Sequence, residues 1–169
     1  DAGSTSLGSS DNIFMGYYSG HGNSANAHSP GVNNVGIGYQ SHFSFISGSY
    51  NVAVGGNALY NNQHGEYNVA IGQSAGDHAT GSYNTFVGGK AGEGGTTSAP
   101  FSSGQNNTAL GYKALYGFTT GATNVSIGSY SLESVTTGYA NVAIGYYAGN
   151  DLTTALRNVI IGENAGLYE

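Results

Sequence analysis

A five-residue phrase, best seen at Asn141-Val142-Ala143-Ile144-Gly145, recurs along almost the whole chain. Its copies begin at Asn12, Asn34, Asn51, Asn68, Asn84, Asn107, Asn124, Asn141 and Asn158. They end at Gly16, Gly38, Gly55, Gly72, Gly88, Gly111, Gly128, Gly145 and Gly162. Successive copies start 22, 17, 17, 16, 23, 17, 17 and 17 residues apart. A fixed period of this size means one supersecondary unit per repeat, stacked because no unit can bury its apolar side alone. The expected architecture is an all-β parallel solenoid, a β-roll of about nine 17-residue coils, forming a single repeat domain over residues 1–169.

Positions within a coil are counted from its Asn. The second is mostly Val (Val35, Val52, Val69, Val125, Val142, Val159) and the fourth Ile, Val, Leu or Met. Side chains alternate along a strand, so these two share a face, and β-branched residues suit a buried one. The third position points the other way and is usually small (Gly36, Ala53, Ala70, Ala109, Ser126, Ala143), which implies that another backbone packs close by. The fifth-position Gly ends the strand, as expected of a residue needing positive φ or close approach by a neighbouring coil. The eighth position is always Ala or Ser, a tight corner. A second Gly, three residues before most of the Asn residues, marks another turn and is replaced only at Ala155. These marks predict a five-residue strand, a corner and a shorter second strand per coil, in a rod roughly 43 Å long. The nine Asn residues are expected to form a structural ladder, their amides hydrogen-bonding up and down the stack and satisfying turn backbone.

Composition limits the partners. Glycine contributes 30 residues, charged residues only 7%, and the net charge is −6 from three basic and nine acidic groups. Nucleic-acid binding needs clustered Lys and Arg, which are absent, and an anionic membrane surface is disfavoured on the same ground. Cysteine is absent, which excludes disulfides and thiolate metal sites. No apolar run approaches the eighteen residues of a membrane-spanning helix, and the N-terminal stretch has neither the basic start nor the apolar run of a signal peptide.

Two coils are longer than the rest. The insertions, residues 21–30 and 93–103, both fall after the eighth-position corner and are expected to emerge on one side of the rod, about four coils or roughly 19 Å apart. Period-breaking loops in repeat proteins often form the binding face. Candidate receptor contacts are therefore His21, Asn23 and His28 in one and Thr97 and Phe101 in the other.

The other candidate chemistry is weaker. Acids gather at the tenth and eleventh positions (Asp77, Glu93, Glu133, Asp151), but on separate coils, with no evident cleft for the paired carboxylates of a glycosidase. They read as solvated charge. No calcium loop occurs. The five His residues (His21, His28, His42, His64, His78) share no coil position, so they read as surface or loop residues rather than zinc ligands. Tyr recurs beside the strand (Tyr17, Tyr39, Tyr112, Tyr146; Tyr50, Tyr67, Tyr83), suiting packing between chains. No catalytic residue, cofactor or metal is expected.

The phrase Asn-Val-Ala-Ile-Gly followed by x-x-Ala resembles the head repeats of trimeric autotransporter adhesins and the repeats of bacteriophage tail-fibre proteins, over Asn12 to Gly166. The adhesin resemblance implies a parallel β-roll with three chains packed about a common axis. The longer coil, its Tyr-rich and Thr-Thr-Gly half (Thr119-Thr120-Gly121, Thr136-Thr137-Gly138) and its insertions are more similar to a viral fibre. The expectation is a homotrimeric shaft or receptor-binding segment of a phage tail fibre in the virion, contacting a host cell-surface glycan or protein through avidity. The alternatives are a bacterial surface adhesin and a polysaccharide-degrading tailspike. An ice-binding solenoid is disfavoured, since Thr pairs stack in register over only three coils.

Overall fold

A computed structural model describes residues 11–22, 31–95 and 101–167. Nine three-residue strands lie side by side in chain order in one parallel sheet. They are β1 (Ile13–Met15), β2 (Val35–Ile37), β3 (Val52–Val54), β4 (Val69–Ile71), β5 (Thr85–Val87), β6 (Thr108–Leu110), β7 (Val125–Ile127), β8 (Val142–Ile144) and β9 (Val159–Ile161). Equivalent positions pair with one another, so Ala53 sits between Gly36 and Ala70, and Val142 between Val125 and Val159. The chain is an all-β parallel solenoid, with no helix among the described residues.

The strand is three residues long rather than five, because both ends of the phrase turn. In the coil that starts at Asn124, four residues take left-handed backbone: Gly128 (φ 125°), Tyr130 (φ 59°), Leu132 (φ 46°) and Ala140 (φ 56°). A left-handed L-residue costs about 1–2 kcal/mol. Bonds between coils offset this, since the Tyr130 amide donates to Tyr112 in the coil before and the Leu132 amide to Ala148 in the coil after. With so many bends no continuous second strand forms among the described residues. Outside the main sheet the described residues hold only two isolated bridges, Ala79–Ser102 beyond the corner and Tyr139–Leu156 just before the strand, joined by turn hydrogen bonds.

The Asn residues are knitted into the stack. Asn107 Nδ2 donates to the carbonyl of Gly121 at 2.9 Å, while its Oδ1 accepts the Asn124 backbone amide at 3.0 Å and Asn124 Nδ2 at 3.3 Å. The same pattern of Oδ1 taking the next Asn amide runs from Asn12 to Asn158. Each side-chain amide thus joins a strand start to the second turn of its own coil and to the strand start of the next.

The two faces of the strand are the reverse of the expectation. The third position points inward: Ala53, Ala70, Phe86, Ala109 and Ala143 are fully buried. They meet the eighth position (Ala58, Ala75, Ala91, Ala114, Ala148), the ninth (Leu59, Leu115, Leu132) and the twelfth (Phe118, Val135), while the twelfth-position Phe45 packs on Phe14 and His42. The second and fourth positions point outward, leaving Ile13, Met15, Ile37, Ile71, Leu110, Ile144, Val159 and Ile161 exposed. The small third-position residues do face a close backbone, but it is the opposite wall of their own coil. So narrow a roll has no room for two aliphatic rows inside.

Filling of that interior follows a size rule. Where the third position is large, the ninth is Gly: Phe14 with Gly20, Phe86 with Gly92, Ile160 with Gly166. A Cβ on Gly20 or Gly92 would fall on the Phe14 or Phe86 ring. Where the third position is small, the ninth carries Leu in three coils (Ala53 with Leu59, Ala109 with Leu115, Ser126 with Leu132) and His in one (Gly36 with His42). In the other two, Ala70 with Gly76 and Ala143 with Gly149, large side chains of the adjacent coils, Phe86 and Leu59 or Leu132 and Ile160, fill the space instead. His42 is fully buried rather than a surface His, stacked on Phe45 at 4.9 Å, with neither ring nitrogen hydrogen-bonded among the described residues. Burial pulls its pKa down to about 3, so the ring is neutral.

Candidate functional site

Two surfaces of the rod differ from plain repeat. The first is the tenth-position column, beyond the eighth-position corner, from which both insertions leave. In register it reads His21, Phe43, Tyr60, Asp77, Glu93, Tyr116, Glu133 and Asn150. His21 stacks on Phe43 at 5.0 Å and Phe43 on Tyr60 at 4.9 Å, with planes within 11° and 6° of parallel. This file of rings runs from the root of the first insertion toward the root of the second.

It ends at an open cleft of about 420 Å³. Tyr60 and Phe101 supply its aromatic walls, Gln40, Asn57 and Asn61 its amides, and Asp77 and His78 its titratable groups. The seventh-position residues Gln40 (φ 50°) and Asn57 (φ 57°) are both left-handed, a conformation that the short Asn57 side chain tolerates better than most. Phe101 closes the second insertion, and the next residue, Ser102, rejoins the coil by pairing with Ala79. Phe101 also stacks on His78 at 6.1 Å.

The acids in this column are not solvated, contrary to expectation. The Asp77 and Glu93 side chains are only 13% and 12% exposed. Glu93 is paired with Lys90 at 3.1 Å. Glu133 is paired with Lys113 at 3.3 Å and accepts Asn150 Nδ2 at 3.0 Å. Asp77 lies 3.9 Å from His78 and also interacts with Ser74, Lys90 and Glu93. Burial pushes the Asp77 carboxyl up to about 6, with the His78 side chain pulling it back down. Asp77 is the acid of this column that lines the cleft.

Of the candidate contacts, His21 and Phe101 lie on this one face, at its two ends. Asn23, His28 and Thr97 fall outside the described residues. The amides Gln40, Asn57 and Asn61 and the ring of Tyr60 were not singled out by the sequence. Their signal was there, as the run of ring-bearing residues at the tenth position of the first three coils. Among the described residues, no three His, Cys, Asp or Glu side chains converge as metal ligands.

The second surface is the outer face of the sheet. The exposed large hydrophobic residues all fall at the second, fourth and sixth positions or just before the Asn, on one side of the coil. Tyr50, Tyr67 and Tyr83 form a stack at one border, with centroid spacings of 4.8 and 5.3 Å. Tyr17, Tyr39, Tyr112 and Tyr146 occupy the other and are about half exposed. Asp11, Glu66, Arg157 and Glu163 border this side, but the second and fourth positions carry no charge in any coil, so these two rows form an apolar strip the length of the sheet. Comparison with known protein families, characterised proteins and solved structures finds no match.

Proposed function

We propose that this chain is a shaft or receptor-binding segment of a phage tail fibre, working as a homotrimer in host-cell attachment. The observation that carries this reading is the apolar strip. Isolated exposed aliphatics are ordinary, but a contiguous patch beyond a few hundred Å² marks an interaction site. Nine strands at about 4.8 Å and a width of five residues make this one roughly 700 Å². That approaches the ~800 Å² per partner of a stable protein interface. Because every coil repeats the pattern, the surface that fits it best is another copy in the same register. Three copies with their sheets toward one axis would cover all three strips and leave the tenth-position columns pointing outward. Such a rod presents three identical recognition faces, so weak contacts add through avidity. The role is one of binding rather than catalysis.

The Asn-Val-Ala-Ile-Gly phrase also supports a bacterial surface adhesin built on the same rod. The flanking genes, tail morphogenesis or outer-membrane anchor, distinguish the two. The trimer is tested by light scattering at micromolar concentration, where the mass of three chains is expected and the mass of one overturns the reading. Ile71→Lys and Ile144→Lys, both on the strip, should lower the mass toward one chain. Shortening both insertions to the 17-residue period should keep the trimer and weaken cell attachment; unchanged attachment would leave the segment as shaft alone.

A further inference from the structure

The cleft between the insertions has a composition that narrows its ligand. Its volume of about 420 Å³ falls within the range of small-molecule sites, about 300–1,000 Å³. Its polar groups are mostly side-chain amides, which donate and accept at once, as a sugar hydroxyl does. Asn57 Oδ1 and His78 Nδ1 are buried with no hydrogen-bond partner among the described residues. Both atoms are closed to solvent, so a ligand's hydroxyls would meet the other polar atoms of the lining amides Gln40, Asn57 and Asn61. The flanking rings of Tyr60 and Phe101 offer apolar faces of the kind that pack against the C–H face of a pyranose.

Charge excludes the nearest competitors. No Lys or Arg lines the cleft, and its one carboxylate, Asp77, would repel a uronate, a sialate or a phosphate. A hydrocarbon or flat aromatic ligand would strip water from Asp77 and the amides without replacing their hydrogen bonds. We infer that this cleft is a saccharide site, taking an uncharged pyranose between Tyr60 and Phe101 with its hydroxyls on Asn57, Asn61 and Asp77. The site gives the receptor-binding part of the proposed function a place and a chemistry, and rests on that reading for its biological setting. With three chains, it would occur three times around the rod, which suits a repeating surface polysaccharide better than a single protein receptor.

The test uses the full chain and four neutral probes, glucose, galactose, mannose and N-acetylglucosamine, with glucuronate as the acidic control. Saturation-transfer NMR, irradiating the aromatic protons, reads binding directly, and light scattering on the same samples reads assembly. At least one neutral sugar should bind with millimolar affinity, and glucuronate should not. Phe101→Ala and Asn61→Ala, both outside the interior, should each weaken that binding at least tenfold while the mass stays that of the parent. No transfer to any of the four sugars at tens of millimolar, equal binding by parent and both variants, or a preference for glucuronate would overturn the assignment. A trimer that binds none of them removes the site and leaves the fibre reading in place. A monomer that binds one does the reverse.

Discussion

His42 occupies the ninth-position column that Leu59, Leu115 and Leu132 fill in other coils, at nearly the same left-handed φ (51° against 50°, 54° and 46°). Its ring is sealed in the core with two unmet nitrogens. An open chain would bind a proton at pH 6.5, whereas the folded chain resists it down to about pH 3. Between those values the unfolded state holds more protons, so the stability tied to the neutral ring is complete above pH 6.5 and falls as the pH drops. Each unit below 6.5 costs about 1.4 kcal/mol, hence about 2 kcal/mol at pH 5. For a chain of this length that is about 4–8 °C in melting temperature. His42→Leu should remove this term. It should also stabilise the protein at pH 8 by about 1–3 kcal/mol, since two desolvated acceptor or donor atoms are replaced by an apolar group of similar bulk. Thermal unfolding followed by circular dichroism from pH 8 to pH 5 reads both effects. The gap between variant and parent should open by those 4–8 °C as the pH falls. A gap that stays constant across the range would show that His42 does not carry the acid sensitivity, and the reasoning from its burial would fail.

Three further perturbations probe the stack. Gly92→Leu should fail beside Phe86, and Phe86→Ala alone should cost about 3–5 kcal/mol. The double variant, which copies the Ala109–Leu115 pairing, should recover most of that loss in a double-mutant cycle, whereas additive losses would refute the size rule. Gly128→Val places a Cβ against the carbonyl of Gly145 and forces a β-branched residue to φ 125°. It should lower the melting temperature by many degrees, and melting within error of the parent would show that this turn is not constrained. Asn107→Ala should cost about 2–5 kcal/mol by orphaning the Asn124 amide and the Gly121 carbonyl. Asn158→Ala, at the exposed end of the same ladder, should cost well under half as much in urea unfolding. Equal losses at the two sites would mean the ladder is not cooperative.

Period, parallel stacking, Asn ladder and the glycine turns were legible because each is a regularity of spacing. The left-handed seventh and ninth positions were not, since Tyr130, Lys113 and Leu132 occupy them as well as Asn57 and Gly76. There, hydrogen bonds to the coils before and after override local preference, and a single coil carries no trace of them. The cleft was half legible. Asp77, His78 and Phe101 stood out as residues, but only the register of four coils brings them beside Tyr60 and the amides.

The reversal of the strand faces has a more general reason. Alternation with period two says that the second and fourth positions share a side, and says nothing about which side is inside when both are apolar. Two aliphatics against one Ala normally favours the aliphatics as core. Room decides otherwise here, and the chain does record the answer, in a place that alternation does not reach. Side chains that face each other across a narrow interior must share its volume, so their sizes vary inversely from coil to coil. The third and ninth positions do this at Phe14 and Gly20, at Phe86 and Gly92, and at Ile160 and Gly166. The second position holds a β-branched residue in all nine coils and the fourth an aliphatic residue or Met, whatever the ninth residue is. A column that never adjusts to the far wall is not facing it. Its constancy matches instead a surface repeated from coil to coil, as a partner in the same register would require.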